Sequence, residues 1–316
     1  MEDIERDNRQ SHADAEDANG GGSISSVRAA VVVTTIGRPP LLDHLLASIH
    51  AQTLRPSEVI VVDQSSDNGT RKVVDAWTDR LPMRYLTSAP GASAGRNAGV
   101  GALGEYDLVA FPDDDTSYVP DTLARAATAL SNGVSAGAVS GRLLGTPDRP
   151  AQLESSFGDQ PMSLDHRTVW TSAIEATCFF SRDFIRTVGG FDEDLGVGAA
   201  SPWQSGEATD LLLRGLKAGW TLLFDPRIVV NEHNPDAPSP HDRADRTKAR
   251  RYARGTGAVC RRHHGLGTQV MIVFRPLAAA ALSTVCGRWT RAGWYLQRAI
   301  GRVEGLTGHV LPGPRE

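Results

Sequence analysis

Short apolar runs and amphipathic stretches alternate along the first third of the chain. Four short runs predict strands, at Val27–Thr35, Glu58–Asp63, Met83–Thr87 and Asp107–Phe111, and the first two are rich in β-branched residues. The segments between them predict helices at Leu41–Ala51, Thr70–Asp79 and Gly91–Gly104. Strands that alternate with helices at this spacing indicate an α/β fold with a parallel, doubly wound sheet and right-handed crossovers.

The rest of the chain continues this alternation and then becomes helical. Further helices are predicted at Pro120–Leu130, Arg182–Val188 and Glu207–Ala218, and further strands at Ala138–Arg142, Thr177–Ser181 and, as one or two strands, Thr221–Val230. The segments Gly145–Thr171 and Gly196–Gly206 predict loops. Residues 1–26 are acidic and then rich in Gly and Ser, which predicts a disordered tail, and residues 241–316 predict a basic helical extension.

The charge of the chain is small overall but unevenly distributed. The net charge is −4, yet residues 241–316 hold fourteen Lys or Arg against four acids, a balance of +10. Such a segment fits either a solvated helical face or a contact with anionic partners such as lipid head groups. It lacks the interleaved aromatic residues of a nucleic-acid surface, so we expect no nucleic-acid partner.

Three features favour a cytoplasmic location. The acidic N-terminus has no signal-peptide pattern. Widely spaced cysteines predict buried free thiols in a reducing compartment, at Cys178, Cys260 and Cys286. The apolar stretch Val270–Cys286 is interrupted by Arg275 and Pro276, which predicts a segment that dips into a membrane surface rather than spanning it. We therefore expect a cytoplasmic protein, and contact with the inner face of the membrane stays open.

Three adjacent carboxylates follow the fourth predicted strand. Asp113, Asp114 and Asp115 would repel one another and lose solvation at this edge if they stayed unpaired. A divalent cation with a phosphate ligand relieves this repulsion, and hard oxygen ligands suit Mg²⁺ or Mn²⁺. A solvated acidic turn is the alternative. Because Thr35 and Asp63 end the first two strands, a parallel sheet brings them to the same crevice.

Several motifs occur in order between Val27 and His233. They are Val31-Val-Val-Thr-Thr-Ile-Gly-Arg-Pro39, Val61-Val-Asp-Gln-Ser-Ser-Asp67, Ala94-Gly-Arg-Asn-Ala-Gly99, Phe111-Pro-Asp-Asp-Asp115, Gly189-Gly-Phe-Asp192 and Gly206-Glu-Ala-Thr-Asp-Leu-Leu-Leu-Arg214. Together they resemble the family 2 glycosyltransferases, inverting enzymes with the GT-A fold for nucleotide-diphospho-sugars. The resemblance implies a catalytic domain over residues 27–240, with a nucleotide-binding half at 27–115 and an acceptor-binding half at 116–240.

The resemblance implies a donor site at the carboxyl ends of the strands. It makes Asp115 the direct metal ligand and His233 a second ligand, and an imidazole favours Mn²⁺ over Mg²⁺. It makes Asp63 a contact to the base or ribose and Asp113 a contact to the ribose. Further candidates for the donor nucleotide are Thr34, Thr35, Asp114 and Arg96. Two alternatives stay open, His233 as an ordinary loop histidine and Arg96 as a helix residue packed against an acid.

The acceptor side departs from the family pattern at one position. An inverting transfer needs a general base that takes the proton of the acceptor hydroxyl. The family commonly has Glu-Asp at the start of the acceptor-side helix, with the Asp as base, whereas this chain has Glu207-Ala208. Glu207 is therefore the candidate base, and Asp210, about one turn on, is the alternative. Asp192 and Trp203 are acceptor-site candidates, although a loop tryptophan also packs on its own domain.

These features lead to the expectation of a metal-dependent inverting glycosyltransferase. It would move a sugar from a nucleoside-diphosphate sugar to a glycan or polyprenyl-linked acceptor, in cell-envelope polysaccharide synthesis by analogy with the family. Two alternatives stay open. Ala208 favours a non-catalytic subunit that binds nucleotide sugars. A nucleotidyltransferase also uses carboxylates at strand ends, but it usually has a Gly-rich basic loop after the first strand, for which Gly37-Arg38 is a poor substitute.

Overall fold

The computed structural model of the chain describes residues 26–131, 136–145, 158–233 and 243–312. The strands of these residues form one nine-stranded sheet in the order β3-β2-β1-β4-β8-β6-β9-β5, and β7 pairs with β9. They are β1 (Ala29–Thr35), β2 (Glu58–Asp63), β3 (Met83–Thr87), β4 (Leu108–Ala110), β5 (Thr116–Tyr118), β6 (Ala136–Leu144), β7 (Met162–Ser163), β8 (Cys178–Ser181) and β9 (Thr221–Glu232).

The helices lie close to their predicted positions, except for a short one at Val169–Ser172, which was not predicted and begins inside the predicted loop Gly145–Thr171. They are α1 (Pro39–His50), α2 (Gly69–Trp77), α3 (Ala92–Ala102), α4 (Thr122–Ser131), α5 (Val169–Ser172), α6 (Arg182–Val188), α7 (Glu207–Lys217), α8 (Arg243–His263), α9 (Leu266–Val285) and α10 (Trp289–Thr307). A 3-10 turn at Glu175–Thr177 precedes β8. The predicted tail at residues 1–26 lies almost entirely outside the described residues, as does much of the predicted loop at 145–171.

The first half of the sheet is parallel, as predicted. β1 pairs in parallel with β2 on one side and β4 on the other, and β2 pairs in parallel with β3. The residues of β4 and all but one of those in β1 and in β2 are buried, which explains their apolar, β-branched composition. The register places Thr35 opposite Asp63, so the carboxyl ends of β1 and β2 meet at one edge.

The second half of the sheet, for which the sequence analysis gave no strand direction, is mixed. β8 runs antiparallel to both β4 and β6, and β5 runs antiparallel to β9. An apolar run such as Cys178–Ser181 indicates burial on both faces but carries no information about the direction of its neighbours. The strand β5 was not predicted, because Thr116–Tyr118 is too short and too polar to show a strand pattern.

An aromatic cluster supports the loop that carries the three adjacent carboxylates. Phe111, two residues before Asp113, packs edge to face on Phe191 with ring centroids 4.9 Å apart. The Phe180 ring of β8 lies 5.7 Å from that of Phe111. These rings are buried, so the loop leaves the sheet from a rigid base.

The C-terminal helices are held together by a buried ion pair. Glu304 of α10 is fully buried and accepts hydrogen bonds from Arg250 Nε at 3.0 Å and Arg254 Nε at 2.7 Å, both from α8. Burial opposes the charge of Glu304, but the hydrogen bonds from the two arginines outweigh it and lower its pKa. The prediction of a solvated basic face was therefore wrong for these two arginines.

The prediction of buried thiols also needs correction, since Cys286 is exposed while Cys178 and Cys260 are buried.

Two glycines of α3 are expected to respond oppositely to alanine. A Cβ on Gly99 would lie 2.3 Å from Val32 Cγ1 of β1, whereas a Cβ on Gly101 meets no atom within 4 Å. Gly99→Ala should therefore lower the free energy of unfolding by about 1–3 kcal/mol through overpacking. Gly101→Ala should raise it by about 0.4–1 kcal/mol, because alanine restricts the unfolded chain. Urea unfolding of both variants checks this, and equal effects would contradict the close packing of α3 on β1.

Candidate functional site

The carboxyl ends of β1 and β2 and the loop after β4 form one crevice. Thr35 Oγ1 donates a hydrogen bond to Asp114 Oδ2 at 2.6 Å, which ties the end of β1 to the loop. Thr34 is partly exposed beside α3, where Gly95 leaves room for its methyl group. The structure thus brings together the residues that were predicted at the strand ends.

Asp63 is a buried carboxylate with both oxygens engaged. Tyr85 donates its hydroxyl to Asp63 Oδ2 at 2.8 Å, and the Ser65 backbone N–H donates to Asp63 Oδ1 at 2.9 Å. Burial raises the pKa of the Tyr85 phenol, and the hydrogen bond and charge of Asp63 raise it further. Tyr85 therefore stays a hydrogen-bond donor that orients Asp63 at the edge of the crevice.

Asp114 points inward. It is 1% exposed, and besides Thr35 it has Arg38 Nη2 at 3.2 Å from Oδ1. Burial raises the pKa of Asp114 to about 6, against the hydrogen bond from Thr35 and the charge of Arg38, which lower it. This side chain anchors the loop, and its contact with a donor nucleotide stays a prediction.

Asp115 and His233 are neighbours across β5 and β9. The His233 backbone N–H donates to the Asp115 carbonyl oxygen at 2.7 Å, and Asp115 Oδ2 lies 3.1 Å from Arg38 Nη1. His233 Nε2 lies 2.6 Å from Ser117 Oγ and 3.3 Å from His44 Nε2. Burial lowers the pKa of His233, and His44 lowers it further against the opposite effect of Asp115. The imidazole is therefore favoured in the neutral form, which is the form that binds metal ions.

The chemistry of this donor set fits a divalent cation that completes its shell with phosphate. Across the described ranges, no three or more His, Cys, Asp or Glu side chains are grouped closely enough to hold a metal by themselves. Mg²⁺ and similar ions usually take only one or two protein carboxylates and fill the remaining positions with substrate phosphates and water. Asp115 is one such carboxylate, and the Arg38 guanidinium between Asp114 and Asp115 shows that these two carboxylates attract positive charge.

Arg96 is a buried cation at the centre of a second group of acids. Its guanidinium lies 3.0 Å from Asp113 Oδ1 and 3.4 Å from Glu207 Oε1, and it also contacts Glu175. The charges of these three carboxylates raise the pKa of Arg96, although its burial acts in the opposite direction. The structure thus shows Arg96 packed against acids, and its contact with the donor nucleotide stays a prediction.

Glu175 was missed by the sequence reasoning. It lies in the 3-10 turn before β8, and its side chain is 12% exposed. The available signal was a single carboxylate inside the apolar run Ala173-Ile-Glu-Ala-Thr-Cys-Phe-Phe180, which matches no motif. Its contact with Arg96 is long-range and becomes visible only in the folded chain.

Asp210 is engaged with the C-terminal helix rather than free in the crevice. Its carboxylate lies 2.8 Å from Arg214 Nε and 2.8 Å from His263 Nε2 of α8. Burial disfavours its charge, but these partners outweigh it and lower the pKa of Asp210. A lowered pKa makes Asp210 a weaker base, so the arrangement favours Glu207 as the candidate base.

Asp192 contacts Arg262 of α8, and its role in binding the acceptor stays a prediction.

Helix α8 lines the crevice opposite the sheet. Ser205 donates its hydroxyl to the Tyr252 carbonyl oxygen of α8 at 2.6 Å. Burial raises the pKa of the Tyr252 phenol, and the charges of Glu207, Asp113 and Asp115 raise it further, so this ring faces the acidic site. Trp203 packs on a small apolar cluster that includes Val259 of α8, so it contributes to the packing of this chain. Stacking of Trp203 on a sugar stays a prediction.

Comparison with known proteins identifies relatives among sugar transferases. The profile of the Glycosyl transferase family 2 matches residues 30–185. A validoxylamine A glucosyltransferase of Streptomyces hygroscopicus subsp. limoneus is 28% identical over 201 residues, which cover 52% of this chain and 44% of that protein. A glucosyl-dolichyl phosphate glucuronosyltransferase of Haloferax volcanii is 25% identical over 218 residues, 65% of this chain and 69% of that protein.

Another relative, the hyaluronan synthase of Pasteurella multocida, is 33% identical over 98 residues, 30% of this chain. The match spans only 10% of that synthase and less than half of the validoxylamine glucosyltransferase.

Solved structures share the fold across most of the chain. The mannosyltransferase PcManGT of Pyrobaculum calidifontis, solved with GDP-Man and Mn²⁺, superposes with a TM-score of 0.60 over 92% of this chain and 91% of that chain, at 18% identity. Residues 1–349 of S. aureus TarS give a TM-score of 0.57 over 90% of this chain and 92% of that chain, at 14% identity. These matches show the GT-A fold, with the C-terminal helices present in addition to the sheet.

Proposed function

We propose that the chain is a family 2 glycosyltransferase, a metal-dependent inverting enzyme that uses a nucleoside-diphosphate sugar as donor, because the profile of that family matches residues 30–185. The observation that carries the proposal is the crevice at the strand ends, where Asp63 and the Asp113–Asp115 loop meet Arg96 and Glu207. The three relatives named above are sugar transferases or synthases, which favours sugar transfer over nucleotidyl transfer and over a non-catalytic binding subunit.

Each side chain has a distinct task in the proposed reaction. Asp63, held by Tyr85 and Ser65, accepts hydrogen bonds from the base or ribose, and Asp113 accepts from the ribose. Asp115 and His233 would hold the cation, Mn²⁺ or Mg²⁺, which when bound would supply positive charge to the diphosphate leaving group. The hydrogen bond from Thr35 to Asp114 holds the Asp113–Asp115 loop against the end of β1.

Glu207 takes the proton of the acceptor hydroxyl. The hydroxyl oxygen then bonds to the anomeric carbon as the bond from that carbon to the diphosphate oxygen breaks, which inverts the configuration. Glu207 is 8% exposed at the start of α7, in a site lined by Arg96 and Tyr252. A base in such a site is shielded from bulk water, and this favours the acceptor hydroxyl over hydrolysis.

We further propose that the acceptor is a glycan or a lipid-linked saccharide at the inner face of a membrane, in cell-envelope synthesis. The support is helix α9, which by length and composition alone is apolar enough to cross a membrane. Only 11% of its 18-residue apolar stretch is buried. Exposed apolar side chains lie along the helix, including Val270, Phe274 and Leu282. The helix is continuous through Arg275 and Pro276, and a charged residue halfway along it favours a position in the membrane surface over a span. The name of the Haloferax relative, with its dolichyl phosphate, agrees with such an acceptor.

Phe274→Asp is expected to weaken binding to anionic vesicles. The Phe274 side chain is 59% exposed, and burying such a group in lipid is worth about 1.5–3 kcal/mol, or roughly 10–100-fold in affinity. Sedimentation with phosphatidylglycerol vesicles measures the change. The matched control is Val310→Asp, an exposed apolar residue outside α9, which should bind as the wild type does. Equal binding of wild type and Phe274→Asp would rule out α9 as the membrane contact.

Nucleotide release from a panel of UDP-, GDP- and TDP-sugars, with and without Mn²⁺, tests the proposed reaction. We expect release from one donor class, dependent on metal and on Glu207. Binding of the donor without release would instead support a non-catalytic subunit, and turnover only with a nucleoside triphosphate would support a nucleotidyltransferase.

A further inference from the structure

Three carboxylates surround one arginine in the crevice. Asp113, Glu175 and Glu207 approach the Arg96 guanidinium from three different elements, so three negative charges would face one positive charge. Arg96 and Glu207 are buried, and Glu175 is nearly so. An excess of buried negative charge is costly and is relieved when one of the carboxylates takes up a proton.

Glu175 is the member of this group whose contacts fit a protonated carboxyl. Arg96 Nη1 contacts Glu175 Oε1 and Glu207 Oε1, so two carboxyls share one guanidinium nitrogen. The contact is not aligned as a hydrogen bond, and Oε1 of Glu175 has no hydrogen-bond partner among the described residues. Two carboxyls can hydrogen-bond to each other only when one of them carries a proton, since a carboxylate is an acceptor alone.

We propose that Glu175 holds this proton and donates it in a hydrogen bond to Glu207, which keeps Glu207 charged and aimed at the acceptor hydroxyl. Glu175 is thus a positioning residue for the proposed transfer, and this inference rests on the function proposed above. It explains how the chain works with Ala208 at the position where the family commonly has the catalytic Asp. The carboxyl pair supplies an oriented base without that Asp.

The other groups around the pair agree with this assignment. Burial raises the pKa of Glu175 well above its usual value, the charge of Arg96 acts against this, and the charges of Glu207 and Asp113 raise it further. The Cys178 thiol of β8 faces Glu175, and its pKa is raised by burial and by Glu175, so it stays neutral. The Tyr252 phenol of α8 faces Glu207, and its raised pKa keeps it neutral as well.

The test compares Glu175→Gln, Glu175→Ala and Glu207→Gln. A glutamine at 175 still donates a hydrogen bond to Glu207, so we expect kcat within about tenfold of wild type, whereas Glu207→Gln removes the base and loses about 10²–10⁴-fold. Glu175→Ala removes the donor and should lose about 10²-fold through misplacement of Glu207. At high pH the wild type should lose activity as Glu175 loses its proton, and Glu175→Gln should not show this alkaline loss.

An infrared difference spectrum keeps the test independent of turnover and of the alanine variant's folding. The carbonyl stretch of a protonated carboxyl, identified by its shift in D₂O, should be present in wild type and absent in Glu175→Gln. If the band is present but no sugar donor supports transfer, the hydrogen-bonded carboxyl pair is supported and the proposed function is refuted. The inference is overturned if the band persists in Glu175→Gln, or if Glu175→Gln is as inactive as Glu207→Gln. Unchanged kcat and pH profile in a folded Glu175→Ala would overturn it too.

Discussion

Asp115→Asn is expected to reduce metal-dependent transfer by about 10²–10⁴-fold. The amide loses the negative charge that attracts the cation beside His233 and Arg38. A metal at a diphosphate leaving group contributes several kcal/mol to the transition state, and each 1.36 kcal/mol is about tenfold in rate. The change keeps the shape of the side chain, so the loop and its Thr35–Asp114 hydrogen bond should remain.

Nucleotide release at saturating donor, measured over a Mn²⁺ titration, checks this result. The control is Asp121→Asn, which changes a partly exposed acid paired with Arg125 outside the crevice and should leave both kcat and the Mn²⁺ dependence unchanged. An Asp115→Asn variant with the metal dependence of wild type would show that the cation is bound elsewhere.

Arg96→Met is expected to lower the free energy of unfolding by about 3–5 kcal/mol near neutral pH. Removing one partner of a buried ionic group leaves uncompensated charge, and here the acids around Arg96 lose their shared cation. Burial already raises the pKa of Asp113 and of Glu175, and without the opposing charge of Arg96 both values rise further. The loss of stability should therefore be large at neutral pH and shrink as the pH falls and the carboxyls take up protons.

Urea unfolding over a pH series measures this dependence. Arg182→Met is the matched control, because the pair of Arg182 with Glu105 is largely exposed and worth about 0–1 kcal/mol. Similar losses for the two variants, or a loss for Arg96→Met that grows as the pH falls, would contradict the account of the buried cluster.

Local patterns were sufficient to predict the parallel half of the sheet and the edge at which its strands end. The strands that end in Thr35, Asp63 and the Asp113–Asp115 loop are continuous apolar runs, and parallel strands place their carboxyl ends together. The bounds of β2 and β3 matched the predicted ones, since turn-forming residues flank both runs. A site made from the ends of neighbouring strands is accessible to this reasoning because the geometry of a parallel sheet is regular.

The acceptor half depended on contacts that no local pattern shows. Glu175 meets Arg96 and Glu207 only after β8 has inserted antiparallel between β4 and β6. The basic residues of α8 read as a solvated face, yet Arg250 is buried on Glu304 and His263 on Asp210. In each case the decisive partner is distant in sequence, and charge patterning alone does not distinguish a buried pair from a solvated one.

The most direct test of the proposed donor site is a thermal-shift measurement with UDP, GDP and TDP, each with and without Mn²⁺, on wild type and Asp115→Asn. A ligand that binds only the folded chain stabilises it by about 2.7 kcal/mol at roughly a hundred times its Kd. The account predicts that one nucleoside diphosphate raises the melting temperature of the wild type, only with Mn²⁺, and that Asp115→Asn loses this rise. Stabilisation that needs no metal, or that survives in Asp115→Asn, would contradict it.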